Sequence, residues 1–169
     1  MLTGMQNNHR MYAREVRLNR RTFLTVCAAS AAVVIRPARA RQASADPWPA
    51  EDLIQPSDLA KELASSPGSL HIICVTFPVM YRQKHLPHAQ FAGPTSKPEG
   101  IAKLHAAVQG LEPTASIVIY CGCCPMTKCP NIRPAYRALK SSKFENVRVL
   151  NLPDNLHTDW TAKGYPVET

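Results

Sequence analysis

The sequence predicts an α/β protein in which a mostly parallel central sheet carries helices on both faces. Short apolar runs rich in β-branched residues recur at residues 70–76, 116–121 and 147–152. Such runs are typical of strands that are buried on both faces. Segments with helical periodicity lie between them, so strands and helices alternate along the chain. Each helix then crosses over the sheet with the same hand and covers one of its faces.

The first elements follow a proline-rich linker over residues 46–56. In order, we expect an edge strand at 53–54, a helix over 58–65, a strand over 70–76, a short helix over 78–84 and a strand over 89–92. Ser57 is the expected N-cap of the first helix, because a hydroxyl can accept a bond from an unpaired amide of the first turn. The turn formers Pro67 and Gly68 end that helix.

The remaining elements continue the alternation. In order, we expect a helix over 97–110, a strand over 116–121, a helix over 132–141, a strand over 147–152 and a helix over 155–163. The first of these helices has apolar residues at helical spacing and ends at Gly110. Asn131 is the expected N-cap of the helix over 132–141, and Pro134 is tolerated there because it lies in the first turn.

Residues 1–45 have the pattern of a twin-arginine signal peptide. The string NRRTFL at residues 19–24 leads into a mostly apolar stretch over 23–35, followed by the small-residue pattern Ala-Arg-Ala at 38–40. Basic, apolar and small-residue regions in that order indicate export. A membrane anchor needs about 20 apolar residues, so we expect no stable membrane insertion after processing. The predicted destination is the periplasm.

The charge balance points away from nucleic acid as a partner. The whole chain has a formal net charge of +8. The segment 1–45 contributes eight arginines and one glutamate, so the remainder is close to neutral. No stripe of basic residues with interleaved aromatics occurs after residue 45, which is the pattern expected of a nucleic-acid-binding face.

Four of the six cysteines lie within the loop YCGCCPMTKCPNIRPA at residues 120–135. Cys121 follows the predicted strand over 116–121 at its carboxyl end, where open parallel sheets form their binding crevice. The loop amides and the N-terminus of the next helix can face this sulfur, and such dipoles favour a thiolate. The sequence therefore predicts a reactive cysteine at residue 121.

Several strings in order resemble a rhodanese domain. They are the apolar strand over 70–75, HLPHA at 85–89, YCG at 120–122, Trp160 and GYPV at 164–167. The resemblance spans roughly residues 56–168 and implies a rhodanese-like domain over 57–169. The loop string CGCCP…CPN.RPA is similar to that of an exported rhodanese-like subgroup.

The resemblance implies a sulfurtransferase or persulfide carrier in which Cys121 becomes the persulfide. The implied partners are a small sulfur-containing donor and a thiol acceptor, and we expect a monomer. The possible assistants of Cys121 in the loop are Gly122, Cys123, Cys124, Lys128, Cys129 and Arg133.

Three departures from the rhodanese pattern concern the electrostatics of the loop. The family has an arginine five positions after its cysteine, where this chain has Met126. Lys128 and Arg133 are the candidates for the missing positive charge. Cys74 and Thr76 stand where the family commonly has an aspartate and an arginine. The additional loop thiols are the third departure.

The cysteine-rich loop leaves other hypotheses open. Cys121 and Cys124 form a C-x-x-C pair between a strand and a helix, a spacing that suits thiol–disulfide exchange. Zinc or copper could bind at Cys121, Cys123, Cys124 and Cys129, because thiolates are soft ligands. A disulfide from Cys129 to Cys123 or Cys124 would instead give a stapled binding surface. Beyond such an ion, the sequence predicts no cofactor.

Overall fold

The computed structural model describes residues 46–66 and 68–169. The predicted signal peptide over residues 1–45 lies outside the described residues. Within the described residues, no helix is long and apolar enough to cross a membrane.

The centre of the fold is a five-stranded sheet in which every neighbouring pair of strands is parallel. The strands are β1 (Leu53–Ile54), β2 (His71–Cys74), β3 (Gln90–Phe91), β4 (Ile117–Tyr120) and β5 (Val147–Leu150). Their spatial order is β1-β5-β4-β2-β3, which makes β4 the central strand and β1 an edge strand. The predicted α/β class with a parallel sheet is confirmed.

Within the described part of the chain, four α-helices connect successive strands and a fifth follows the last strand. They are α1 (Pro56–Ser65), α2 (Pro78–Gln83), α3 (Pro98–Ala107), α4 (Ile132–Ser141) and α5 (Leu156–Asp159). The predicted continuous helix over 155–163 is wrong, because the helical backbone breaks at Trp160 and resumes as a 3-10 turn over Thr161–Lys163. Trp160 is fully buried, and its indole N–H donates to the Pro166 carbonyl at 2.8 Å. Burial of this large ring therefore overrides the helical period.

The predicted cap of α1 is also wrong. The helix begins at Pro56 with Gln55 before it, and no side chain caps its N-terminus. Proline is favoured at the first helical position because its missing N–H would be unpaired there in any case. Ser57 therefore already lies inside the first turn, and its hydroxyl contacts the Asp58 carboxylate.

Helices cover both faces of the sheet, as predicted. Alternate residues of β4 point to opposite faces: Ile117 and Ile119 pack with α3 and α4, whereas Val118 and Tyr120 pack with Leu59 of α1 and with Trp160. The alternation continues past the end of the strand, so Cys121 lies with Ile117 and Ile119 in the α3–α4 core.

Candidate functional site

A cavity of about 480 Å³ opens beyond the carboxyl ends of β2 and β4. Thr76, Tyr120 and Cys121 lie in its wall as buried residues, and the exposed Lys84 and His157 contribute to the same wall. This is the crevice expected at the carboxyl edge of a parallel sheet. The reactive cysteine predicted from the sequence thus lines the cavity.

Gly122 sets the direction of the loop directly after Cys121. Its φ of +77° lies in the left-handed region, and a Cβ at this position would be 2.8 Å from the Cβ of Leu156. The Gly122 carbonyl also accepts a bond from the Leu156 N–H at 3.0 Å. The loop and α5 therefore pack closely, and only glycine combines this backbone angle with this approach.

Three of the four loop thiols converge. The sulfur atoms of Cys121, Cys123 and Cys129 all lie within 4.8 Å of one another. The Cys121 and Cys123 sulfurs are 3.2 Å apart. Cys124 does not belong to this cluster, and its sulfur contacts that of Cys123 at 3.4 Å. We call Cys121, Cys123 and Cys129 the thiol cluster.

Asn131 connects the thiol cluster to a distant loop. Asn131 occupies the predicted N-cap position of α4, but its side chain makes no capping hydrogen bond. The Asn131 Nδ2 donates to the Cys121 sulfur at 3.5 Å, and its Oδ1 accepts from the Ser96 N–H at 3.1 Å. Its carbonyl accepts from the Thr95 hydroxyl. Asn131 is fully buried, so these contacts fix its amide against the sulfur.

The amides at the start of α4 act on a different sulfur from the one expected. The N–H groups of Asn131 and Ile132 lower the pKa of Cys129, whereas the backbone N–H that lowers the pKa of Cys121 is that of Cys123. A loop amide thus acts on Cys121 as expected, and the helix N-terminus does not. The Asn131 side chain and the neighbouring thiols take that role.

The thiol cluster holds the pKa of Cys121 well below its ordinary value. Hydrogen bonds from Cys123 and Cys129 are the largest causes, burial opposes them, and the Asn131 amide adds to the lowering. The same contacts raise the pKa of Cys123 and of Cys129. The contacts of the cluster therefore favour the thiolate form of Cys121 over that of its two neighbours.

A second cysteine of the cavity wall, Cys74, differs from Cys121 in its pKa. Its side chain lies in the same cavity wall. Burial raises the pKa of Cys74 to about 12, although the Tyr120 hydroxyl beside it acts in the opposite direction. Cys74 therefore remains a neutral thiol, and burial alone does not activate a cysteine at this edge of the sheet.

The lowered pKa predicts an unusual pH dependence of alkylation. In reduced, metal-free protein, Cys121 should react with iodoacetamide at a nearly constant rate as the pH falls from about 8.5 to about 6, because it remains a thiolate below the ordinary thiol pKa of about 8.5. A thiol of ordinary pKa loses about tenfold in rate per pH unit over this range. Peptide mapping of the label checks this, and a tenfold loss per unit at Cys121 would contradict it.

The two predicted cationic assistants do not line the cavity. Lys128 is exposed. Arg133 donates to the carbonyls of Cys129 at 3.2 Å and Thr127 at 2.8 Å, and it pairs with Asp46. Arg133 therefore holds the loop in shape from outside the cavity.

Other residues of the cavity wall were not singled out in the sequence. Lys84 and His157 are the basic side chains in this wall. Thr76 is 2% exposed, and its hydroxyl is a buried side-chain group without a hydrogen-bond partner among the described residues. A buried unpaired hydroxyl costs free energy, so a bound ligand is its natural partner. The signal in the sequence that could have pointed to Thr76 is that it stands where the rhodanese family commonly has an arginine.

Comparisons of structure agree with this architecture. The crystal structure of the Alr3790 protein from Anabaena sp. is similar with a TM-score of 0.53 at 23% identity, covering 68% of this chain and 81% of that one. The solution structure of the rhodanese-like domain of the same protein gives 0.50 at 23% identity, with 69% and 78% covered. The BH2092 protein from Bacillus halodurans gives 0.53 at 17% identity, with 69% and 75% covered.

The class of protein follows from these similarities. The chain is an α/β protein with a cysteine at the carboxyl end of its central strand, and its fold is that of the rhodanese-like domain. The predicted rhodanese-like architecture is confirmed. A scan against protein-family models gave no match, and a search of curated proteins gave none.

Proposed function

We propose that this protein carries sulfane sulfur on Cys121 and acts as a sulfurtransferase or persulfide carrier. The observation that carries the proposal is the position of the Cys121 sulfur, which lines a cavity, accepts a hydrogen bond from the Asn131 amide and lies 3.2 Å from the Cys123 sulfur. A thiolate held in this way is a nucleophile for a divalent sulfur atom.

The transfer has two steps. The Cys121 thiolate attacks the outer sulfur of a persulfide donor R–S–SH, the S–S bond of the donor breaks, and the thiolate R–S⁻ leaves. Cys121 then carries the outer sulfur as a persulfide. In the second step an acceptor thiolate attacks this outer sulfur, which regenerates the Cys121 thiolate and releases the acceptor persulfide.

The cavity favours an organic donor over a small inorganic anion such as thiosulfate. Its volume of about 480 Å³ lies within the range of about 300–1,000 Å³ typical of organic ligands. Met80 and Leu156 give the wall an apolar part, and the basic Lys84 and His157 are both exposed. Arg133, the cation nearest to the loop backbone, is engaged elsewhere.

Intact-mass spectrometry tests the proposal. After reduced, metal-free protein is treated with a low-molecular-weight organic persulfide, we expect a gain of a single sulfur atom in the wild type and none in Cys121→Ser. Cys124→Ser is the matched control and should keep the gain, because Cys124 lies outside the thiol cluster. The absence of any gain with every sulfane donor, or an equal gain in Cys121→Ser, would overturn the proposal.

Disulfide exchange between Cys121 and Cys124 stays a prediction. The thiol in contact with Cys121 is Cys123, and Cys124 contacts Cys123 in turn. The geometry therefore favours sulfur transfer as the first candidate function.

The proposal extends to location and partners. The twin-arginine pattern at residues 19–24 supports action in the periplasm. We expect the protein to act there as a monomer. A low-molecular-weight thiol there would be the acceptor.

A further inference from the structure

The thiol cluster has the dimensions of a site for a single ion. Bonds between thiolate sulfur and a metal are about 2.3 Å long, so three sulfurs around one ion in a plane lie about 4.0 Å apart. The sulfurs of Cys121 and Cys123 are separated by 3.2 Å, and all three lie within 4.8 Å of one another. Shifts of less than an ångström in side chains would bring them to that spacing.

We propose that Cys121, Cys123 and Cys129 bind one Cu(I) ion in a three-coordinate site. Thiolates are soft ligands and select Cu(I). Cysteine, histidine and acidic side chains are the usual metal ligands. Among the described residues, the thiol cluster is the group of such side chains whose ligand atoms lie close enough together to hold one ion. The site thus consists of sulfur ligands alone, and it differs from the sequence-based expectation because Cys124 is not a ligand.

The surroundings of the three sulfurs suit this ion better than zinc. A closed zinc site requires four ligands in a tetrahedron. The side-chain nitrogen nearest to Cys121 is Asn131 Nδ2, an amide donor that cannot coordinate a metal, and its Oδ1 is occupied by the Ser96 N–H. The bond from Asn131 Nδ2 to the Cys121 sulfur is 3.5 Å long, and such a bond disperses the negative charge of a thiolate–metal group.

The ion has a route to these ligands. Cys121 and Cys123 line the cavity, whereas Cys129 is buried behind them. Copper that enters the cavity can therefore meet the two ligands in its wall first and then bind the third, Cys129, behind them. Because Cys121 is common to both sites, bound copper should block the formation of a persulfide.

A competition titration tests the copper site. Reduced full-length protein is titrated anaerobically with the Cu(I) complex of bicinchoninate, whose absorbance reports the copper that remains. We expect the wild type to withdraw one ion per chain. Cys123→Ser and Cys129→Ser should each lose at least about 100-fold in affinity, since even changes to groups that support the ligands cost about 10–100-fold. Cys124→Ser, the matched control, should stay within about threefold.

The proposal would be overturned by failure of the wild type to withdraw copper, or by an equal loss of affinity in Cys124→Ser. Displacement of the copper by equimolar zinc would overturn it as well. Because Cys129 is buried, thermal unfolding must show that Cys129→Ser is folded. Cys123 is half-buried, so Cys123→Ser disturbs the core less and serves as a second variant. The mass gain of the persulfide is measured on metal-free wild-type protein, and the copper titration is measured on wild-type protein that carries no persulfide. The two proposals can therefore fail independently.

Discussion

Replacing Gly122 by alanine is expected to lower the free energy of unfolding by about 2–5 kcal/mol and to remove most of the reactivity of Cys121. The left-handed φ of +77° costs a residue with a Cβ about 1–2 kcal/mol. The new Cβ would also be 2.8 Å from the Cβ of Leu156, and such overpacking typically costs about 1–3 kcal/mol. Relief of this clash must move either α5 or the loop that carries the thiol cluster.

Gly110→Ala is the matched control for this prediction. Gly110 has a φ of +81°, and a Cβ there meets nothing within 4 Å. This variant therefore carries the cost of the backbone angle without the clash. Chemical denaturation should show a loss of about 1–2 kcal/mol for Gly110→Ala and a larger loss for Gly122→Ala. Iodoacetamide labelling of Cys121 should slow in Gly122→Ala alone, and equal behaviour of the two variants would contradict this account of the loop.

The sheet could be predicted from the sequence because each of its buried strands is encoded by one short, continuous run of residues. The β-branched runs at 70–76, 116–121 and 147–152 each contain a strand of the structure, since strands buried on both faces need continuous apolar sequence. The position of Cys121 followed in the same way, because the residue after a parallel strand lies at the edge that forms the crevice. Edge strands of two residues, such as β3, carry little such signal.

The detail of the site depends on contacts between distant parts of the chain. An asparagine before a helix ordinarily caps it, but Asn131 instead bonds to Ser96, 35 positions away. Arg133 similarly pairs with Asp46, 87 positions away. Sequence spacing also favoured Cys124 as the partner of Cys121, whereas the path of the loop brings Cys129 into the cluster. No local pattern contains this information.

Substitution of Asn131 by aspartate should produce the largest change in the chemistry of Cys121. The amide nitrogen lies 3.5 Å from the sulfur, and a carboxylate at that distance would repel the thiolate by about 5 kcal/mol at an effective dielectric constant of about 20. Since about 1.4 kcal/mol corresponds to one pKa unit, the pKa of Cys121 should rise by about three units. As the pH is lowered, the rate of alkylation should therefore begin to fall about three pH units higher than in the wild type.

Asn131→Ala separates the lost hydrogen bond from the added charge. This variant removes the donor and adds no carboxylate, so the pKa of Cys121 should rise by only about one to two units, the equivalent of a hydrogen bond to a charged group of about 1.5–3 kcal/mol. Alkylation rates measured across pH for the wild type and both variants give the three thiol pKa values. The order wild type, alanine, aspartate, from lowest to highest, is expected because the donor and the charge act on the same sulfur. If the two variants had equal values, Asn131 would act only by holding the loop against Ser96, and the thiolate would owe its stability to the neighbouring thiols alone.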